Sequence, residues 1–214
     1  ISITKMVILK KRIICCLHLC YNFFIQQSER MIFMTEDKLL NQAELCGFDH
    51  ACITETDQLI FDSRFRQFCE TNYCGNYDNN YSCPPACGTP EELKEKALKF
   101  SHALVLQTIT PVKNIMDDEE TKIIKHHHNE MTWNLIHKVE EELETYLPAM
   151  AGPCGLCSPC AKKEGKPCRF PEKKASCLSA YCIQVDAMAK VCGIEYYCEG
   201  EVAFFSLLFF DGKK

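Results

Sequence analysis

Val202-Ala203-Phe204-Phe205-Ser206-Leu207-Leu208-Phe209-Phe210 is an apolar run interrupted by a single serine. Its length suits a strand. With no polar alternation, it predicts a strand buried on both faces at the centre of a sheet. His102–Ile109 is a second β-prone run, ended by Pro111. His50–Thr56 and Gln58–Phe61 lie on either side of Glu55-Thr56-Asp57, a pattern that predicts a hairpin.

Helix signals separate these runs. Thr35 is an expected N-cap for a short helix closed by Cys46-Gly47, and Asp62-Ser63 caps another that carries Phe65 and Phe68 and delivers Cys69. Thr89-Pro90-Glu91-Glu92 places an N-cap, a proline and acids in the order a helix start requires. Leu93, Ala97, Leu98 and Phe100 supply its inner face. From Asp117-Asp118-Glu119-Glu120, a stripe of Ile124, His128, Met131, Leu135, Val139, Leu143 and Tyr146 or Leu147 predicts one long helix stopped by Pro148. A last helix is expected over 176–191, with Gly193 beyond its end. The alternation predicts an α/β or α+β domain: a small mixed sheet, flanking helices and two long cysteine-rich loops.

Composition narrows the chemistry. The chain has 214 residues and is 47% hydrophobic, enough to form a core without cross-links. It carries 17 cysteines, an odd number that cannot pair completely. A disulfide scaffold is typical of short secreted domains with little core, so metal binding in a reducing cytoplasm is the favoured reading.

Residues 1–33 differ from the rest. Lys5, Lys10, Lys11, Arg12 and Arg30 against Glu29 give them a net +4, so that of the formal −5 the remainder carries −9. Basic residues followed by Ile13–Ile25 resemble a signal peptide, but the stretch is too short to span a bilayer and no small-residue cleavage site follows. A non-native leader or disordered extension is expected, with 34–214 as the cysteine-rich metal-binding domain starting at Met34. Cys15, Cys16 and Cys20 then fall outside it. The acidic body argues against nucleic acid and anionic membrane as partners.

Two cysteine constellations remain. Cys154, Cys157, Cys160 and Cys168 have the spacing C-x2-C-x2-C-x7-C, whose first three members match the bacterial ferredoxin run. Three-residue steps on a tight loop present successive thiolates to adjacent corners of a 4Fe-4S cubane. Pro153, Pro159 and Pro167 stiffen the loop, Gly155 lets backbone N–H groups turn inward, and Lys162, Lys163, Lys166 and Arg169 offset cluster charge. Zinc is the alternative, although its sites more often use two separated C-x2-C pairs. Cys69, Cys74, Cys83 and Cys87 have the less diagnostic spacing C-x4-C-x8-C-x3-C, with Tyr73, Tyr77 and Tyr81 as expected shields from water. A structural loop of buried thiols is the competing reading. Cys177, Cys182, Cys192 and Cys198 read as buried small apolar residues. His128 reads as a ligand or a hydrogen-bonded core residue.

Taken together, these motifs resemble the domain of unknown function 2284 family, predicted metal-binding proteins of anaerobic bacteria and archaea. The resemblance runs from about Leu45 to Phe210. It rests on Cys69, Cys74-Gly75-Asn76-Tyr77, Cys83-Pro84-Pro85, Gly152-Pro153-Cys154, Cys157, Cys160 and Pro167-Cys168-Arg169-Phe170-Pro171-Glu172. It implies metal binding, with iron–sulfur expected, and no assigned reaction. It also implies an aliphatic residue where Cys87 stands, which would leave the first loop with three family thiols.

The leading expectation is a cytoplasmic protein with one or two iron–sulfur clusters that transfers electrons or senses redox state, acting with a redox partner protein or small molecule. The alternatives are an enzyme using an incompletely ligated cluster as a Lewis acid and a zinc-stabilised interaction protein.

Overall fold

The computed structural model describes residues 36–196 and 199–213. The proposed leader, Thr35, Met34 and Cys198 lie outside them. Helix α1 covers residues 36–45 and ends at Gly47, whose φ of +89° suits a residue without Cβ. Then follow β1 (His50–Glu55), α2 (Arg66–Glu70), α3 (Pro90–Ala97), β2 (His102–Pro111), α4 (Asp118–Val139), β3 (Leu143–Met150), β4 (Ser176–Cys177), α5 (Val185–Val191) and β5 (Glu201–Gly212).

The strands form one mixed sheet of order β1-β2-β5-β3-β4. Only β3 and β4 run parallel. The apolar run is the central strand, paired with β2 on one side and β3 on the other. Ala103, Val105, Phe205, Leu207 and Phe209 face the layer of α3 and α5, together with Cys87 and Cys177. Leu104, Leu106, Leu208 and Phe210 face α1 and α4, against Leu39, Leu135 and Ile136. The predicted α+β class therefore holds, and the period-2 alternation of two apolar faces explains the lack of polar alternation along β5.

Local signals decide several ends. Thr89 and Glu92 form a complete capping box at α3. Asp117 caps α4 by accepting from the amides of Glu119 and Glu120.

Three predicted elements differ from the structure. The hairpin after β1 is absent: Thr56–Gln58 form a 3₁₀ turn, β1 pairs with β2, and Phe61 makes one bridge to Ile183. The long helix stops at Val139, and Leu143–Met150 is a strand. Leu143 and Leu147 lie four residues apart and so continue the helical stripe in sequence, but they are claimed by pairing with β5. Pro148 is tolerated because β4 pairs only at Ala149 and Met150, leaving the outer side of β3 open at the proline. The last helix is shorter than expected, since Ser176–Cys177 is a strand and α5 begins at Val185.

The α4 face carries one polar cluster. His128 is 1% exposed; its Nδ1 lies 2.8 Å from Thr108 Oγ1 and its Nε2 3.0 Å from Ser206 Oγ. Both ring nitrogens are engaged, so His128 is the hydrogen-bonded core residue of the two readings. Burial, with a smaller contribution from nearby His127, holds its pKa down to about 4. An unfolded imidazole takes up a proton below about 6.5, whereas the folded one resists until pH about 4. Its stabilising contribution is thus full above pH 6.5 and is lost as the pH falls through that window. From pH 7 to pH 5 the expected loss is about 2 kcal/mol. Denaturant unfolding at both pH values should show this slope in the wild type and a flatter one in His128→Gln; equal slopes would contradict the assignment.

Candidate metal centre

Residues 151–175 connect β3 to β4 as an irregular loop. It departs at Gly152, where φ is +110° and a Cβ would come within 3.1 Å of the Lys125 side chain. Alanine there would meet both strain and crowding. A 3₁₀ turn at Ala161–Glu164, closed by Gly165 at φ +64°, folds the chain back so that Cys168 returns to the first three thiols. Cys154, Cys157, Cys160 and Cys168, each partly buried, line one cavity of about 10 Å³ together with Tyr81 and Phe170. The structure thus brings all four sequence-predicted thiols of this loop together.

The local field is mixed. Burial pushes the Cys154 thiol up, and the neighbouring thiols of Cys157 and Cys160 add to this. Against that, the backbone amides of Leu156 and Ala175 favour the thiolate. Lys162 and Lys174 approach the Tyr81 ring at 5.8 and 6.0 Å. Lys162 is also tied to Asp78 at 2.7 Å, and Arg169 braces the loop by donating to Pro159 O at 3.0 Å. Tyr81 shields this cavity, not the first loop's, and its hydroxyl donates to Lys166 O. Tyr73 is 86% exposed and shields nothing.

The first loop gathers its thiols less evenly. Cys69 sits on α2, Cys74 is exposed, and Cys83 and Cys87 are buried. Burial pushes Cys69 up to about 11 and Cys83 up to about 12, and in both cases the nearby thiol that adds most is Cys177. Sequence reading placed Cys177 in a helix as a core residue. It stands instead on β4, and only the pairing of β4 with β3 brings it here; no spacing in the sequence signals that.

The two loops are joined by a closed ring of hydrogen bonds. Cys154 N–H donates to Ser82 Oγ (2.8 Å), Ser82 O–H to Asn80 Oδ1 (3.0 Å), and Asn80 Nδ2 to Cys154 O (2.9 Å). Following the chain through Ser82, Cys83 Cα and Cys154 Cα are at most ~11 Å apart.

Among the described residues, no three His, Cys, Asp or Glu side chains converge on one ion-sized point. A tetrahedral zinc holds its sulfurs ~3.8 Å apart, so neither loop displays a ready zinc site. The donor chemistry of the second loop nevertheless fits thiolate-bound metal: four thiols line one cavity. Binding would have to redraw the loop around the metal. Residues 155–159 make no backbone–backbone hydrogen bonds of their own and are the part able to yield.

A family model described as a predicted metal-binding protein (DUF2284) matches residues 52–210. No curated protein and no solved structure matches the chain.

Proposed function

The chain belongs to this family of predicted metal-binding proteins, and from that premise we propose that it carries a 4Fe-4S cluster on Cys154, Cys157, Cys160 and Cys168 and serves one-electron transfer or redox sensing. The observation that carries this reading is the single cavity lined by all four thiols. Such a cluster supplies a reversible one-electron site. The chain's own residues would hold its sulfurs with the amides of Leu156 and Ala175, cover it with Tyr81 and Phe170, and place Lys174 at its edge. The proximity of the first loop supports electron transfer over a purely structural role, since a second centre there would lie next to the first. The proposed partner is a redox protein or small molecule, in the cytoplasm. Among the described residues no helix is long and apolar enough to cross a membrane.

A specific observation favours a second reading, in which an open iron acts on a small molecule. A cavity of about 390 Å³ lies against Cys154 and is bordered by Lys125, His126, Glu130 and Trp133 of α4. It is large enough to hold a small ligand.

Anaerobically isolated protein should be brown, with acid-labile sulfide roughly equal to iron. Stoichiometric zinc without sulfide would overturn the iron–sulfur reading.

A further inference from the structure

The cavity of about 390 Å³ beside Cys154 has a definite polarity along α4. Lys125, Asn129 and Trp133 follow one another at four-residue steps and so share one helix face. Lys125 and Trp133 are about 12 Å apart along the helix axis. Pro153, Cys154 and Leu156 of the metal loop and Met150 of β3 line the cavity as well. Asn129 ties α4 to the start of that loop: Ala151 N–H donates to its Oδ1 at 3.0 Å, and its Nδ2 donates to Ala151 O at 3.3 Å. The walls are therefore held together by the protein itself, as in a preformed ligand site.

The charges at the cavity do not all find partners. Glu130 is matched by His126 at 3.4 Å, and Lys122 by Glu119 at 3.1 Å. Lys125 is half-buried and has no carboxylate partner among the described residues. A Cβ at Gly152 would meet Lys125 Cδ at 3.1 Å and Nζ at 3.6 Å. The lysine stem thus lies on the backbone that enters Cys154, with at most ~7 Å of chain from Gly152 to Cys154. The ammonium is held at this end of the cavity, whereas Trp133, Met150 and Leu156 offer apolar surface. Together they suit a flat apolar body with one anionic end. A single ammonium balances a monoanion, which favours a carboxylate over a doubly charged phosphate. We propose that this cavity binds a small aromatic carboxylate, its carboxylate on Lys125 beside Cys154 and its ring against Trp133. The assignment rests on the second reading above, in which the metal centre acts on a small molecule, and supplies the class of that molecule.

Trp133 is the chain's only tryptophan, so its fluorescence reports on this wall alone. The test titrates the full chain, prepared anaerobically, with hydrocinnamate and with its neutral analogue hydrocinnamyl alcohol, following tryptophan emission and heat of binding. The acid should perturb the emission and bind about tenfold more tightly than the alcohol, the worth of one charge-assisted hydrogen bond. Lys125→Met keeps a stem over Gly152 and removes the ammonium; it should bind acid and alcohol about equally. Lys163→Met, exposed on the metal loop and outside the cavity lining, should keep the wild-type preference. Should Lys125→Met fail to fold by far-UV circular dichroism, the wild-type comparison of acid with alcohol decides alone. Absent binding of the acid, binding that leaves the tryptophan emission unchanged, equal wild-type affinities for acid and alcohol, or an undiminished preference in folded Lys125→Met would overturn the assignment. The visible absorption of the metal centre tests the parent reading separately. Saturation with the acid that shifts the tryptophan emission and leaves that absorption unchanged would keep the ligand class and overturn the open-iron reading. Failure to bind the acid in protein that holds iron would overturn the ligand class alone.

Discussion

Cys157→Ala should remove essentially all metal from the Cys154 loop and leave residues 155–160 without a fixed conformation. The side chain itself is only partly buried, so truncating it costs about 1 kcal/mol or less through packing. The large effect comes from the metal. This loop is stabilised by a 3₁₀ turn at Ala161–Glu164, by Arg169 on Pro159 O, and by the bonds from Cys154 to Ser82 and Asn80. Between Cys154 and Cys160 it has little else. Binding to four thiolates is therefore coupled to local folding, and an iron deprived of one thiolate loses both affinity and the loop that shields it. The sheet should survive, since Cys157 belongs to neither of the two apolar clusters built on β2 and β5. Metal and sulfide counts, with amide hydrogen exchange, separate the local from the global effect. Full metal retention in Cys157→Ala would show that this loop is not a metal site; protection at 155–160 equal to wild type would show that its order does not depend on metal.

The contrast between the two loops explains what sequence could reveal. Cys154, Cys157, Cys160 and Cys168 lie within one short stretch, so their convergence is a local property of prolines, a glycine-closed turn and three-residue spacing. β5 and the capping box of α3 were legible for the same reason: each is specified by adjacent residues. Leu143 was not. Its position continues the stripe of α4, and only its register against Gly212 in β5 makes it a strand residue. Cys177 was illegible in a stronger sense. Its apolar neighbours Leu178 and Tyr181 fit a helix face equally well, and its approach to Cys69 and Cys83 follows from a two-residue parallel ladder with β3. The buried Arg66, bonded to Gly88 O and Ala180 O, is likewise a tertiary fact. Local chemistry is visible in order along the chain, whereas a site assembled by pairing of distant strands is not.

Asn80→Ala is expected to cost about 2–4 kcal/mol and to loosen both cysteine loops at once. Asn80 is 5% exposed. Its side-chain oxygen accepts from Ser82 N and Ser82 Oγ, and its amide donates to Cys154 O. Alanine takes these partners from the buried Ser82 amide and hydroxyl and from the part-buried Cys154 carbonyl and offers no replacement. It also frees the Ser82 hydroxyl, which fixes Cys154 N on one side and adjoins Cys83 on the other. Because the ring spans the two loops, metal should leave both to a competing chelator faster in Asn80→Ala than in wild type. Asn79 provides the comparison: its side chain reaches only Gly75 O at 3.2 Å, within the first loop. Asn79→Ala should therefore leave release from the Cys154 loop at the wild-type rate. Release rates followed in Cys157→Ala and Cys83→Ala backgrounds distinguish these outcomes. Acceleration confined to the first loop in Asn80→Ala would mean that the ring does not couple the loops, and that each holds its metal through its own chain alone.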